Sequence, residues 1–400
     1  MVEDIDKVID GYEGDMIETM KRMVAIPSIS PASGGEGESK RADFLESIIR
    51  SMGLETKRYN YNDGKGIRSN IITRYGNADR TIWLIAHIDT VAPGDLAAWS
   101  HNPFDAVVRD GRVYGRGASD NGQDVIASIY ALKAIIESGI QPKYRFGLAL
   151  VADEEIGSHW GMERLMNEGI FSDKDMFVVP DAGSPDGRHI EVAEKGVLWV
   201  RIKTIGKQIH ASTPMMGINA NRHSASFITK LDKLLHEKYR AKNSLFNPEV
   251  STFEPTKREP NVDSVNIIPG SDVSYIDCRV LPEYKLDDIL ADMRSVADEE
   301  EKSEKGLKIE LEVFNRDDSA QPTSGDSEIA KLMSASVREK IGVEPVLVGI
   351  GGGTVALFFR RIGLPAVAWM LDDDTAHQID EYCSVDHLTK DAKVFARLFY

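Results

Sequence analysis

Tyr144-Arg145-Phe146-Gly147-Leu148-Ala149-Leu150-Val151-Ala152 runs directly into Asp153-Glu154-Glu155. The apolar stretch reads as a buried strand, and three acids at its end repel one another unless a cation neutralises them. The pattern recurs nearby. Thr81-Ile82-Trp83-Leu84-Ile85-Ala86 leads into His87-Ile88-Asp89, and Met176-Phe177-Val178-Val179-Pro180 leads into Asp181. A weaker run, Gly111-Arg112-Val113-Tyr114, precedes the glycine-rich Gly115-Arg116-Gly117-Ala118-Ser119-Asp120-Asn121-Gly122. Ligands of an open parallel α/β sheet bind outside the carboxyl ends of its strands, so these loops are expected to meet at one edge.

Outward from that stretch, residues 123–138 read as a helix with Val125, Ile126, Ile129, Leu132, Ile135 and Ile136 inward, and residues 159–169 as a shorter one. Residues 4–24 space their apolar side chains as one amphipathic helix. The alternation predicts an α/β fold with a helix-covered, mostly parallel sheet. Beyond Asp186-Gly187-Arg188 the character changes. A strand is expected over 196–204, a helix over 219–238, then two strands near 261–268 and 271–280 joined by a hairpin turn at Pro269-Gly270. A charged helix over 286–304 leads to a strand with Leu307, Ile309, Leu311 and Val313 on its buried face. That βαββαβ order is ferredoxin-like α+β. From about residue 327 the α/β pattern resumes, with a helix over 329–341, a glycine-rich loop, a strand over 365–370 and a helix over 388–400. The expected organisation is a catalytic domain in two pieces, 1–188 and 315–400, around a domain inserted at 189–314.

A chain of 400 residues suits two domains. A net charge of -16 argues against nucleic acid or an anionic membrane as partner, since both need a basic face. Two cysteines, Cys278 and Cys383, cannot build a disulfide framework or a cysteine-only zinc site, and they fit a reducing compartment. The N-terminal residues lack the basic and apolar segments of a signal peptide, and no apolar run reaches bilayer length. A cytoplasmic location is expected.

His87 and Asp89 stand two apart at a strand end and point to one side. The simplest division puts His87 on a metal and Asp89 behind the imidazole. Singly, each signal has a bland alternative. His-x-Asp is common by chance, Asp120 reads better as an N-cap or turn residue, and the 153–155 acids can form a solvated loop. His377, in the acidic stretch Asp372 to Tyr382, can equally be a solvated histidine. Jointly, five candidates at five strand-end loops amount to a bridging carboxylate plus two ligands for each of two ions. Two-metal hydrolytic sites hold their ions ~3.5–4 Å apart, which a shared carboxylate achieves without further ligands.

These motifs resemble those of the zinc-dependent aminoacylase and carboxypeptidase family. Its members include acetylornithine deacetylase, succinyl-diaminopimelate desuccinylase, glutamate carboxypeptidase and carnosine dipeptidase. The resemblance spans essentially the whole chain. It rests on His87-Ile88-Asp89-Thr90-Val91 with Trp99 and Pro103-Phe104 downstream, Tyr114 to Asp120, Asp153-Glu154-Glu155-Ile156-Gly157-Ser158, Gly351-Gly352-Gly353-Thr354, and His377. It implies two Zn²⁺, with Co²⁺ or Mn²⁺ as substitutes, held by His87, Asp120 (bridging), Glu155, Asp181 and His377. Glu154 would be the general base, with Asp89 orienting His87. The inserted domain would act as a lid and dimerisation domain, its His210 completing the active site of the partner in a homodimer. Asn266, Arg279, Gly352 and Gly353 would contact the substrate. Taken singly, His210 can be a surface residue, Asn266 a turn cap and Arg279 a solvent ion pair with Asp277. One departure is Val355, where many relatives carry an acid.

The leading reading is a hydrolase that cleaves the amide bond of a small carboxylate-bearing substrate, as an N-acyl amino acid deacylase, dipeptidase or carboxypeptidase. A catalytically silent ligand-binding protein on the same fold and a two-metal phosphoesterase are the rivals.

Overall fold

In the computed structural model, which describes residues 4–400, the run around Phe146 forms the strand Arg145–Val151. It lies within an eight-stranded sheet. Edge to edge the order is Thr56–Asn62, Ile67–Tyr75, Arg145–Val151, Thr81–His87, Met176–Val179, Ala366–Ala368, His189–Glu194 and Val346–Ile350. Pairing is parallel through the centre, where Trp83 lies opposite both Gly147 and Phe177, and Val178 opposite Val367. Towards the edges it turns antiparallel. Every residue of Thr81–His87 is buried, as expected of a strand covered on both faces. A Cβ at Gly147 would lie 2.5 Å from the Trp83 ring, so a glycine there lets the indole cross the neighbouring strand. The helix Asp124–Glu137, buried along most of its length, packs on Val385–Arg397. The parallel centre therefore delivers His87, Asp153 and the residues beyond Val179 to one edge. No helix among the described residues is long and apolar enough to cross a membrane.

The chain divides into two compact units. One comprises the chain up to Val192, Thr323–Val348 and Thr354–Tyr400; the other comprises Ala193–Pro322 and Gly349–Gly353. The second is a four-stranded antiparallel sheet in the order Thr252–Arg258, Ser271–Val280, Gly196–Ile205, Lys308–Asp317. Helices Ala220–Lys238 and Leu286–Ser303 bury Phe227, Leu231, Ile289 and Met293 against Leu198, Val200, Ile276 and Cys278. This is the ferredoxin-like order.

Several local expectations give way. The N-terminal helix is two, Ile5–Asp10 and Glu13–Val24, interrupted at Gly11, a poor helix former, and Tyr12, which turns inward to the Glu137 carboxylate. Arg112–Tyr114 stays out of the large sheet. It pairs with Val107–Arg109 through Asp110 (φ 52°) and Gly111 (φ 70°), a tight turn that Asp-Gly favours, and on its other side with Tyr382–Ser384. Of residues 159–169 only Met162–Leu165 is α-helical. The expected hairpin at Pro269-Gly270 does not form. Ile267–Ile268 pairs with Ile209–His210, whereas Ser271–Val280 pairs with Gly196–Ile205 and with Thr252–Arg258. Thr252–Arg258 looks like a loop in sequence because it is polar and contains Pro255; an edge strand tolerates both, with the register shifting between Pro255 and Lys257. Val313 is 40% exposed, on an edge strand whose register shifts beside it.

One buried ion pair fastens the helix Ala356–Arg361 to the sheet. Arg360 reaches both Glu191 oxygens at 2.7 Å and donates to the Ala366 carbonyl, and both charged side chains are 1% exposed. Removing one partner of such a pair strands the other charge in a poorly solvating interior. Arg360→Leu should lower stability by about 3–5 kcal/mol in urea unfolding; a loss below ~1 kcal/mol would mean that the fork contributes little to holding the fold.

Candidate metal centre

His87 closes its strand and is 3% exposed. Its Nδ1 lies 3.1 Å from the Asp89 main-chain oxygen and 3.5 Å from the Asp89 carboxylate. A proton donated from Nδ1 leaves Nε2 as the cation-binding nitrogen. Nε2 is 2.8 Å from Asp120 Oδ1 and 3.6 Å from Asp181 Oδ1. The other Asp120 oxygen, Oδ2, lies 3.0 Å from His377 Nε2, which also lies 3.0 Å from Glu155 Oε2. One carboxylate thus presents its two oxygens to two different imidazoles. Two triads overlap on His87, namely His87 with Asp120 and Glu155, and His87 with Glu154 and Asp181, each with donor atoms within 4.8 Å of one another.

Local backbone geometry sets these side chains. Asp153 is left-handed at φ 71°, an uncommon conformation for a residue with a Cβ. It is fully buried, with its carboxylate 2.9 Å from Arg68 Nη2 and accepting the Trp160 N–H at 2.9 Å. Arg68 is itself fully buried and also paired with Glu38. The first acid of the triplet therefore points into the protein, and Glu154 and Glu155 follow at the edge. Asp89 does more than stand behind His87, because its carboxylate accepts the Glu154 and Glu155 N–H groups at 3.0 and 3.1 Å. His377 sits in a loop with three left-handed non-glycine residues, Asp374, His377 and Asp380, and its side chain is half-exposed.

The remaining candidates belong to the second unit. His210 is exposed, its Nδ1 2.7 Å from Ser212 Oγ. Asn266 accepts the Ala211 N–H through its main-chain oxygen, so it and His210 lie on adjoining segments. Arg279 forks onto Asp277 at 2.7 and 3.0 Å and donates to the Gly351 carbonyl at 2.9 Å, next to Gly352 and Gly353. Val355, in the first unit, is buried in the core with Phe359. Sequence reasoning missed Arg68 and Glu38. A lone arginine carries no signal of a partner 30 positions upstream or of a loop beyond residue 150.

The cluster is short of positive charge. Burial opposes a proton on His87, but hydrogen bonds to Asp120, Asp181 and Asp89 prevail and raise its pKa well above the ordinary value. His377, hydrogen-bonded to Asp120 and Glu155, is raised to about 10. Burial pushes the Asp181 carboxyl up to about 6, and burial together with the charge of Asp181 pushes Glu154 well above the carboxylate range. Burial works against the Asp120 carboxylate too, yet its two histidines lower its pKa. Carboxylates seeking protons beside histidines holding them are a donor set that divalent cations would satisfy. Imidazole nitrogen and carboxylate oxygen suit zinc, cobalt or manganese. The residues fit two such ions.

An α/β sheet with adjoining ligand triads at its strand ends defines the class, a two-metal hydrolase. The family model of peptidase family M20/M25/M40 matches residues 83–400. An uncharacterized metallohydrolase of Methanococcus maripaludis is 38% identical over 95% of this chain and 97% of its own. A succinyl-diaminopimelate desuccinylase of Phenylobacterium zucineum is 28% identical over 96% and 97%. Among solved structures, aminopeptidase PepT from Bacillus cereus superposes with a TM-score of 0.78 at 20% identity, covering 96% of this chain and 97% of that one. The chain belongs to peptidase family M20/M25/M40.

A cation must displace the protons the cluster holds, and with His377 titrating near 10 that imidazole is protonated at pH 7.5. Zinc titration at pH 7.5 should therefore release protons, and apparent affinity should weaken as pH falls. Calorimetry in buffers of different ionisation enthalpy measures this; identical heats in all buffers would contradict it.

Proposed function

We propose that this protein is a di-zinc hydrolase of the amide bond in small carboxylate-bearing substrates, N-acyl amino acids or short peptides. The observation that carries the reading is Asp120, whose two oxygens face His87 and His377 separately, with Glu154 and Asp181 alongside. His87, Asp181 and Asp120 would hold one ion, and Asp120, Glu155 and His377 the other. When bound, the two cations supply a Lewis acid and lower the pKa of water from 15.7 toward ~7.

The chain's own groups do the rest. Glu154 accepts a proton from the attacking water and returns it to the leaving nitrogen as the C–N bond breaks, releasing a carboxylate and an amine. Its half-buried, acid-crowded setting, which raises its proton affinity, supports that role. Asp89 holds the Glu154–Glu155 backbone in register with His87. His210 donates to the developing oxyanion in the active site of a second copy of the chain, a role its exposed position permits. Arg279, with Asn266 and the Gly352-Gly353 backbone, holds the substrate carboxylate, and this makes the enzyme exo-acting. A relative named for desuccinylation supports N-acyl substrates. Two buried, unpaired cysteines accord with a cytoplasmic location.

Glu154→Gln should retain two zinc ions by elemental analysis while kcat falls on the order of 100- to 10,000-fold. Loss of one equivalent of zinc instead would make Glu154 a ligand. Arg279→Met should raise KM at least tenfold, about 1.4 kcal/mol, for substrates with a free carboxylate and leave their methyl esters unchanged. A zinc-loaded panel of N-acyl amino acids, dipeptides and a generic phosphoester tests the class. Turnover of the phosphoester alone would overturn the amidase reading.

A further inference from the structure

Glu381 is fully buried, four residues beyond His377, and touches neither imidazole of the cluster. Its carboxylate is instead filled by donors from the other ligand loop. Oε2 accepts Arg116 Nη1 at 2.6 Å and the Gly117 N–H at 3.0 Å; Oε1 accepts the Ser119 N–H at 2.9 Å and the Asp120 N–H at 3.0 Å. Three successive-turn backbone donors converging on one carboxylate form an anion-binding concavity, here occupied by the protein's own side chain. The main chain continues the connection, with the Gly115 N–H bonded to the Glu381 oxygen and Tyr114 paired with Tyr382. Arg116 closes it from the other side. Its Nη2 donates to the Gln378 carbonyl at 3.1 Å and lies 3.4 Å from the His377 carbonyl oxygen, and its guanidinium lies 5.2 Å from the Trp99 ring centre.

We propose that Glu381 and Arg116 are positioning residues that clamp the Asp120 loop to the His377 loop and thereby set the metal position those two ligands share. The proposal rests on the two-metal reading and goes beyond it by assigning the residues that assemble one half of the centre. The physical reason is specific. Asp120 lies at an irregular kink (φ −101°, ψ 102°) in the segment Ala118–Gln123, and His377 in a left-handed loop 56% exposed at its side chain, so neither stands on a regular stretch of backbone. His87 needs no such device because it ends a fully buried strand. The clamp should therefore act most on the ion that Asp120 shares with His377, both of whose loops it joins, and less on the ion at His87, which it reaches through Asp120 alone.

The test is a cobalt(II) titration of the full-length metal-free protein, followed by calorimetry and by the visible spectrum. In Glu381→Gln two of the four donors lose their acceptor and face an amide N–H₂ instead. One equivalent should weaken by no more than a few-fold and the other by about 10- to 100-fold, with loss of its spectral band. Arg116→Lys keeps the charge and the three backbone donors but loses the fork; it should weaken the same equivalent by a smaller factor. If Glu381→Gln does not fold, Arg116→Lys carries the test. Folded variants that bind two equivalents as tightly as wild type overturn the clamp. Equal weakening of both equivalents also overturns it, since that is what a merely structural pair would do. A wild-type protein that binds fewer than two cations overturns the two-metal reading itself, and the clamp with it.

Discussion

The arrangement depends on crowding acids at one edge of a parallel sheet. His87, Asp120, Glu154, Glu155, Asp181 and His377 converge there, and the anionic members outnumber the histidines. In the absence of cations the imbalance falls on the protons, with the histidines holding theirs and Asp181 and Glu154 gaining them. Divalent cations entering the cluster would take over that balance from the protons. Its members are held in place by backbone and ion pairs outside the cluster, so they do not have to relax away from one another.

That outer support takes three forms, each bridging remote parts of the chain. Asp89 binds the backbone of Glu154 and Glu155, joining two strand ends that are parallel neighbours in the sheet. Arg68, buried between Glu38 and Asp153, faces the left-handed turn that sends the acidic triplet's last two members outward. Glu381 caps the backbone of the Asp120 turn. All three spend a buried charge on backbone or on another charge, and none of those groups would be worth burying for stability alone.

The second unit follows a different logic. Its core is an ordinary apolar layer between two helices and a sheet, from Leu198 and Val200 to Ile289 and Met293. Its polar groups of interest lie outside that core. Arg279 shares Asp277 and the Gly351 carbonyl, and His210 and Asn266 stand on segments joined by a two-residue ladder. The groups proposed to meet the substrate thus stand apart from that core, Arg279 on the strand Ser271–Val280 and His210 and Asn266 at a short two-residue ladder.

Strand-end acids and histidines were legible in the linear chain because a buried strand announces itself by an apolar run, and whatever ends it must sit at the sheet's edge. His87, Glu154, Glu155 and Asp181 needed no more than that. The ferredoxin-like order was legible too, since three of its four strands and both helices carry their own periodicity. Other features had no local signature. Thr252–Arg258 hides as a polar, proline-containing edge; Ile267–Ile268 pairs with Ile209–His210 across nearly sixty residues; Arg112–Tyr114 joins Tyr382–Ser384 rather than the large sheet. Glu381 looked like any acid in an acidic loop. The amino-acid order alone decides what is apolar, what is charged and how each recurs, and so determines the elements and the chemistry at their ends. Which remote segments meet is decided in three dimensions, because the bonds that join them run largely through main-chain N–H and C=O groups that nearly every residue carries alike.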